Sequence, residues 1–162
     1  MTEPGTDSKT DHAGVIVPPP LIYGGVLLPA LLLDWAIDGP GIGPHFGVLL
    51  VPGAVLVLAG LALVLGGATQ FRRAETNIEP WKPSTTLVTT GLYRYSRNPI
   101  YLGLTLGYIG LCLLADSLLA LVLLPVVFVI MHYAVIRREE QYLEIKFGQA
   151  YREYKGRVRR WI

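Results

Sequence analysis

Four long apolar runs dominate the chain and leave few folds open to it. They are Leu21–Ile37, Phe46–Ala68, Ile100–Ala115 and Leu118–Ile136. A helix needs about 17 to 25 mostly apolar residues to cross a bilayer. A chain of 162 residues makes one domain, and an interior of that size cannot hide four such runs. The composition agrees: 52% of residues are hydrophobic and 16% charged, against about 25% charged in a soluble domain. The expectation is an all-α integral membrane bundle of about four transmembrane helices. Only Asp116 and Ser117 separate the last two runs, which predicts a tight antiparallel hairpin. The first two are joined by the turn-rich stretch Asp38–His45. The Gly-x-Gly within it has no flanking strand and is not a nucleotide-binding motif.

Basic residues set the orientation, because cytosolic loops of membrane proteins carry an excess of Lys and Arg. Of the 14, Lys9 lies in the N-terminal segment, five (Arg72, Arg73, Lys82, Arg94, Arg97) lie between runs two and three, and eight lie after run four. The loops Asp38–His45 and Asp116–Ser117 hold none. With four spans, both terminal segments and the middle loop share the cytosolic side. Residues 1–19 are polar, run into the prolines Pro18–Pro20, and read as a disordered tail. The tail lacks the basic start of a secretory signal, so the first run reads as a retained anchor. A net charge of +2 is too small to point to nucleic acid. Cys112 stands alone in an apolar run, with no disulfide partner and no companion ligand, and no metal site is expected.

Chemistry is confined to two polar segments, 70–99 and 137–162. Each is too short for its own core, so each is expected to fold onto the helix ends. Asn98 followed by Pro99 is a helix start. Its free N–H groups, with Arg94 and Arg97 just before, suit a carboxylate or phosphate; ordinary capping and membrane anchoring explain the same residues. Gly103, Gly107 and Gly110 form one stripe, for close helix packing or for a groove. Glu139 and Glu140 fall just past the last run, where they can bind a cation or amine or simply extend a solvated helix. His132, seven residues before Glu139, shares its helical face. The tail Phe147–Ile162 mixes aromatic and basic residues and is expected to lie on the membrane surface, anchored by Trp161.

Leu87-Val-Thr-x-Gly-x-Tyr93, Arg97-Asn-Pro-x-Tyr101-x-Gly103, Glu139-Glu-x-x-Leu143 and Phe147-Gly-x-x-Tyr151-x-x-Tyr154 together resemble the isoprenylcysteine carboxyl methyltransferase and phospholipid methyltransferase superfamily. The resemblance spans roughly Asn77 to Trp161, and small four-span members share the expected architecture. It implies a membrane enzyme using S-adenosylmethionine in a cytosolic pocket. Leu87, Val88 and Tyr93 would line that pocket. Asn98, Pro99 and Tyr101 would contact the cofactor, and Glu139 and Glu140 would complete the site. Glu139 and Arg97 are the implied catalytic residues. The methionine carboxylate would meet the start of run three, its ammonium a Glu, and its sulfonium the rings of Tyr93 and Tyr101. The best-known members carry His where this chain has Asn98, which cannot act as a base near neutral pH. Carboxyl-methylating members carry an Arg shortly before the Glu pair; Arg137 and Arg138 are the neighbours here.

Two functions fit. One is methyl transfer to a lipophilic acceptor: a prenylcysteine-type carboxylate, a phospholipid amine, or a small thiol or hydroxyl. The other is a non-catalytic membrane scaffold or transport subunit. No charged residue lies mid-membrane, Asp34 falling near the outer boundary, which speaks against a conduction path.

Overall fold

The computed structural model describes residues 11–43 and 46–162. Lys9, most of the expected tail and His45 lie outside the described residues. All regular structure among the described residues is helical. Helix α1 spans Pro19–Ala36, α2 Phe46–Arg73, α3 Pro99–Leu114, α4 Leu118–Val122, α5 Leu124–Met131 and α6 Arg137–Arg157. A short 3₁₀ turn covers Gly91–Arg94, and a π-helical turn, His132–Ile136, joins α5 to α6.

Three helical stretches are long and apolar enough to cross a membrane: Pro19–Ala36, Gly47–Arg73 and the interrupted stretch Leu118–Arg157. The fourth run yields α3, a shorter apolar helix of 16 residues. The exteriors are apolar too. Leu28, Leu32, Val51, Leu58, Leu61, Leu65 and Val129 are exposed, and only 11% of the most apolar stretch of α2 is buried. Such a surface is stable against lipid and not against water.

The helices differ from the apolar runs at their ends and in one interior. Helix α1 begins at Pro19, where proline suits the first turn, and α2 continues past Ala68 to Arg73. The last run is not one regular helix. Pro125 has no N–H to continue the ladder, and the chain steps from α4 to α5 at Leu123.

Packing around α3 organises the bundle. Helix α2 lies closely along it, and glycine makes that possible: a Cβ on Gly60 would sit 2.5 Å from the Gly103 carbonyl oxygen, and one on Gly110 would sit 2.7 Å from that of Gly53. The glycine stripe is therefore a packing seam, not a groove. On the other side, α1 packs on α3, α4 and α5. The Tyr23 hydroxyl is 2.8 Å from Thr105 Oγ1. The Tyr108 hydroxyl donates to the Ala120 carbonyl at 2.7 Å, tying α3 to α4. Cys112 is fully buried in this core.

The N-terminal segment is held from Asp11 onward. Lys146 Nζ meets both Asp11 carboxylate oxygens at 2.7 Å. Ala13 N donates to the Pro80 carbonyl at 3.2 Å, Arg138 Nη1 donates to the Gly14 carbonyl at 3.0 Å, and Val15 is buried. Residues 11–18, expected to be disordered, form a strap between α6 and the 77–88 loop. Val15 has an apolar core to enter, which a composition argument cannot see.

Candidate functional site

At the polar end of the bundle the strap, the end of α2, the 77–88 loop, the start of α3 and the first half of α6 enclose a cavity of about 370 Å³. Leu87, Val88, Tyr93, Arg97, Asn98, Tyr101, Glu139 and Glu140 all line it. Pro99 is buried behind them and does not. Two segments about 40 residues apart in sequence thus meet in one site.

The two carboxylates have different surroundings. The Tyr101 hydroxyl donates to Glu139 Oε1 at 2.5 Å, and the Glu139 side chain has no basic partner among the described residues. Burial pushes the Glu139 carboxyl up to about 7; the Tyr101 hydrogen bond opposes that rise and the charge of Glu140 adds to it. Glu140 is instead a counter-ion. Arg160 grips it through Nε to Oε1 at 2.9 Å and Nη2 to Oε2 at 2.7 Å, and Arg97 Nη1 approaches Oε1 at 3.0 Å. The Arg97 side chain is nine-tenths buried, and its Nε has no hydrogen-bond partner. A buried guanidinium N–H without an acceptor is costly, and it leaves Arg97 one hydrogen bond short beside the cavity.

Aromatic rings complete the walls. Tyr93, Tyr101, Tyr142, Tyr151 and Tyr154 all line the cavity. Tyr151 and Tyr154 come back to it because α6 bends at Gly148, whose φ of 52° and ψ of −121° only glycine adopts readily. The Tyr154 hydroxyl then donates to the Tyr93 carbonyl at 2.8 Å, and Arg97 Nη1 donates to the Tyr151 hydroxyl at 3.4 Å.

Several expectations need correction. Asn98 does not cap α3 with its side chain; its Nδ2 donates to the Arg160 carbonyl at 3.0 Å. Arg94 is exposed, and of the two arginines only Arg97 reaches the cavity. Arg137 and Arg138 are likewise exposed and do not line it. His132 is matched to Glu140 through Arg160, whose Nη1 lies 3.4 Å from His132 Nδ1, not to Glu139. The π turn explains this: one extra residue per turn moves the shared face from the seventh to the eighth following residue. The end of the chain does not lie apart on a surface. Trp161 packs edge-on against Phe128 at 5.8 Å, and Arg160 reaches Glu140 from behind the cavity wall. Sequence reasoning missed Arg160 because a basic tail reads as anchoring. It missed the strap residues Ala13 and Pro18–Pro20 because polar and Pro-rich stretches read as disordered. Tyr151 and Tyr154 carried a signal, their fixed spacing after Phe147-Gly148. Among the described residues, no three His, Cys, Asp or Glu side chains gather to hold a metal ion.

A family model for phospholipid methyltransferase matches residues 48–150. Among curated proteins, the chain is 37% identical over 77 residues to the cobalt-zinc-cadmium resistance protein CzcN of Cupriavidus metallidurans, covering 48% of this chain and 35% of that one. It is 38% identical over 68 residues to the nickel-cobalt-cadmium resistance protein NccN of Alcaligenes xylosoxydans, covering 42% and 32%. An uncharacterized protein of Haemophilus influenzae is 40% identical over 63 residues, covering 39% of this chain and all of that one. The chain thus spans about a third of the length of CzcN and NccN. No solved structure matches. The family match takes in α2, α3 and the carboxylate pair of α6, well over half the sequence, and the chain belongs to the phospholipid methyltransferase family.

Proposed function

We propose that the chain is a membrane enzyme that transfers a methyl group from S-adenosylmethionine to a lipophilic acceptor at the cytosolic boundary of the bilayer. The observation that carries this reading is the cavity that joins Arg97, Tyr101 and Glu139. Its groups fit the donor's charges. The Arg97 guanidinium and the start of α3 suit the methionine carboxylate. The tyrosine rings suit the sulfonium, which leaves Glu139 for the acceptor. A cavity of this size lies within the range of small-molecule sites. Bound S-adenosylmethionine supplies an already activated methyl group. The protein's task is then to orient the partners and exclude water.

Four spans and cytosolic termini belong to this proposal. Helix α3, about 24 Å long, would cross beside α2, and the distribution of the fourteen Lys and Arg supports an inner-side cavity. Its floor reaches Val64 and Leu104 within apolar helices, while the 77–88 loop forms the other wall. A donor from water and an acceptor from lipid can meet there.

Among acceptors, an amine fits best. Each methyl gained by a protonated amine requires one proton to leave, and Glu139 is placed to take it. With its value raised to about 7, it is a base of useful strength near neutral pH. Asn98 cannot serve, and its amide is already committed to Arg160. A scaffold has no need of a cavity that gathers a buried guanidinium, a buried carboxyl and several tyrosines.

The test is incubation of the purified full-length protein with radiolabelled S-adenosylmethionine and a membrane lipid extract. Label should appear in an amine-bearing lipid. If a folded sample shows neither product nor calorimetric binding of S-adenosylhomocysteine, the enzyme reading is lost.

A further inference from the structure

Beyond Arg157 the chain turns extended at Val158 (φ −119°, ψ 127°) and runs back along the segment that starts α3. Arg97 N donates to the Arg159 carbonyl at 3.0 Å. The Arg160 carbonyl receives Asn98 Nδ2 at 3.0 Å and Ser96 Oγ at 3.3 Å. The backbone of the tail thus aligns itself against residues 96–98, and its side chain at 160 takes Glu140 in a two-point grip.

The charges make this more than a fastening. Glu140 faces two guanidinium groups and cancels only one of them. Arg160 holds both carboxylate oxygens in its fork, whereas Arg97 uses a single nitrogen on the shared oxygen. Arg97, which lines the cavity, therefore keeps its charge. Without Arg160, Glu140 would have Arg97 as its only charged partner, and the local surplus of positive charge would vanish. We infer that Arg160 is a positioning residue: by occupying Glu140 it keeps Arg97 free to bind the carboxylate of the methyl donor. This rests on the donor reading given above. Lysine would be a poor substitute, because a single ammonium cannot reproduce a two-point grip.

The experiment compares two ligands on the full-length, detergent-solubilised protein: S-adenosylhomocysteine and its decarboxylated counterpart. The unaltered protein should prefer the carboxylated ligand by roughly tenfold or more, the scale of a charged hydrogen-bonded pair. Arg160→Gln should lose most of that preference while binding the decarboxylated ligand as before. Arg160→Lys should recover only part of it. The double variant Glu140→Gln with Arg160→Gln frees Arg97 again and should restore the preference. A merely structural role predicts no such restoration. Arg160→Gln leaves Glu140 paired with Arg97, and thermal unfolding of each variant shows that its preference is read on folded protein. If the unaltered protein binds neither ligand, the donor reading fails and this inference with it. If it binds both but Arg160→Gln keeps the preference, or the double variant does not regain it, the role of Arg160 alone is refuted.

Discussion

Replacing Glu139 with Gln removes one titratable group while keeping its size and an acceptor for the Tyr101 hydroxyl. Glu139 holds its proton up to about 7, against an ordinary value of 4.5. In the folded protein it therefore stays protonated through a window in which the unfolded chain has already released the proton. A carboxyl raised in this way costs stability as pH climbs from about 4.5 to 7, and the full cost persists above that. The gap corresponds to about 3 kcal/mol, an upper figure because Glu139 retains some solvent contact. Thermal unfolding of the detergent-solubilised protein at pH 5 and pH 8 reads the effect. The unaltered protein should lose stability between the two, and Glu139→Gln should lose much less, ending as the more stable of the pair at pH 8. Methyl transfer should show the opposite order. Activity of the unaltered protein should rise through pH 7 as Glu139 ionises, and the variant should be slow throughout. Parallel stability curves for the two proteins would show that Glu139 titrates normally, and the argument for it as a base would fall.

Asn98→Ala deletes the hydrogen bond to the Arg160 carbonyl, and should cost about 1 kcal/mol together with weaker S-adenosylhomocysteine binding by calorimetry. A fall in stability with unchanged affinity would limit Asn98 to holding the tail. Gly60→Ala places a methyl against the backbone of Gly103 and Gly107, atoms that cannot swing aside; the expected loss is about 1–3 kcal/mol, read as a lower unfolding temperature. Gly148→Ala meets no neighbouring atom but forces alanine to a φ of 52°. It should cost about 1–3 kcal/mol and weaken ligand binding by releasing Tyr151 and Tyr154, while Gly156→Ala, at an ordinary helical position with open space, should do neither.

The helical class and the approximate helix positions were legible because apolar run length is a direct consequence of bilayer thickness, and it needs no knowledge of tertiary contacts. The gathering of Tyr101 with Glu139 was legible from the way polar segments must return to the helix ends. Other parts were not. Whether Asn98 caps or ties down the tail depends on where Arg160 lies, a partner 62 residues away. That Glu140 is a counter-ion and Glu139 is not depends on which guanidinium groups reach each one, and adjacent identical residues give no local clue. The strap's burial of Val15 depends on a core assembled from α1, α3, α5 and the π turn. Each of these is set by long-range geometry, which neither propensity nor periodicity encodes.

The π-helical turn at His132–Ile136 works like slack in a gear train. Its wide turn takes up one residue, so everything beyond keeps the heading of an ordinary helix one residue shorter. Deleting a single residue such as Ala134 would let the turn relax into ordinary helix and leave Glu139 and Glu140 facing the cavity. Keeping all five residues while tightening the turn to the ordinary pitch would instead rotate everything beyond by about 100°, swinging Glu139 away from Tyr101. The bonding pattern of these five positions is therefore the stricter constraint, and their number the looser one.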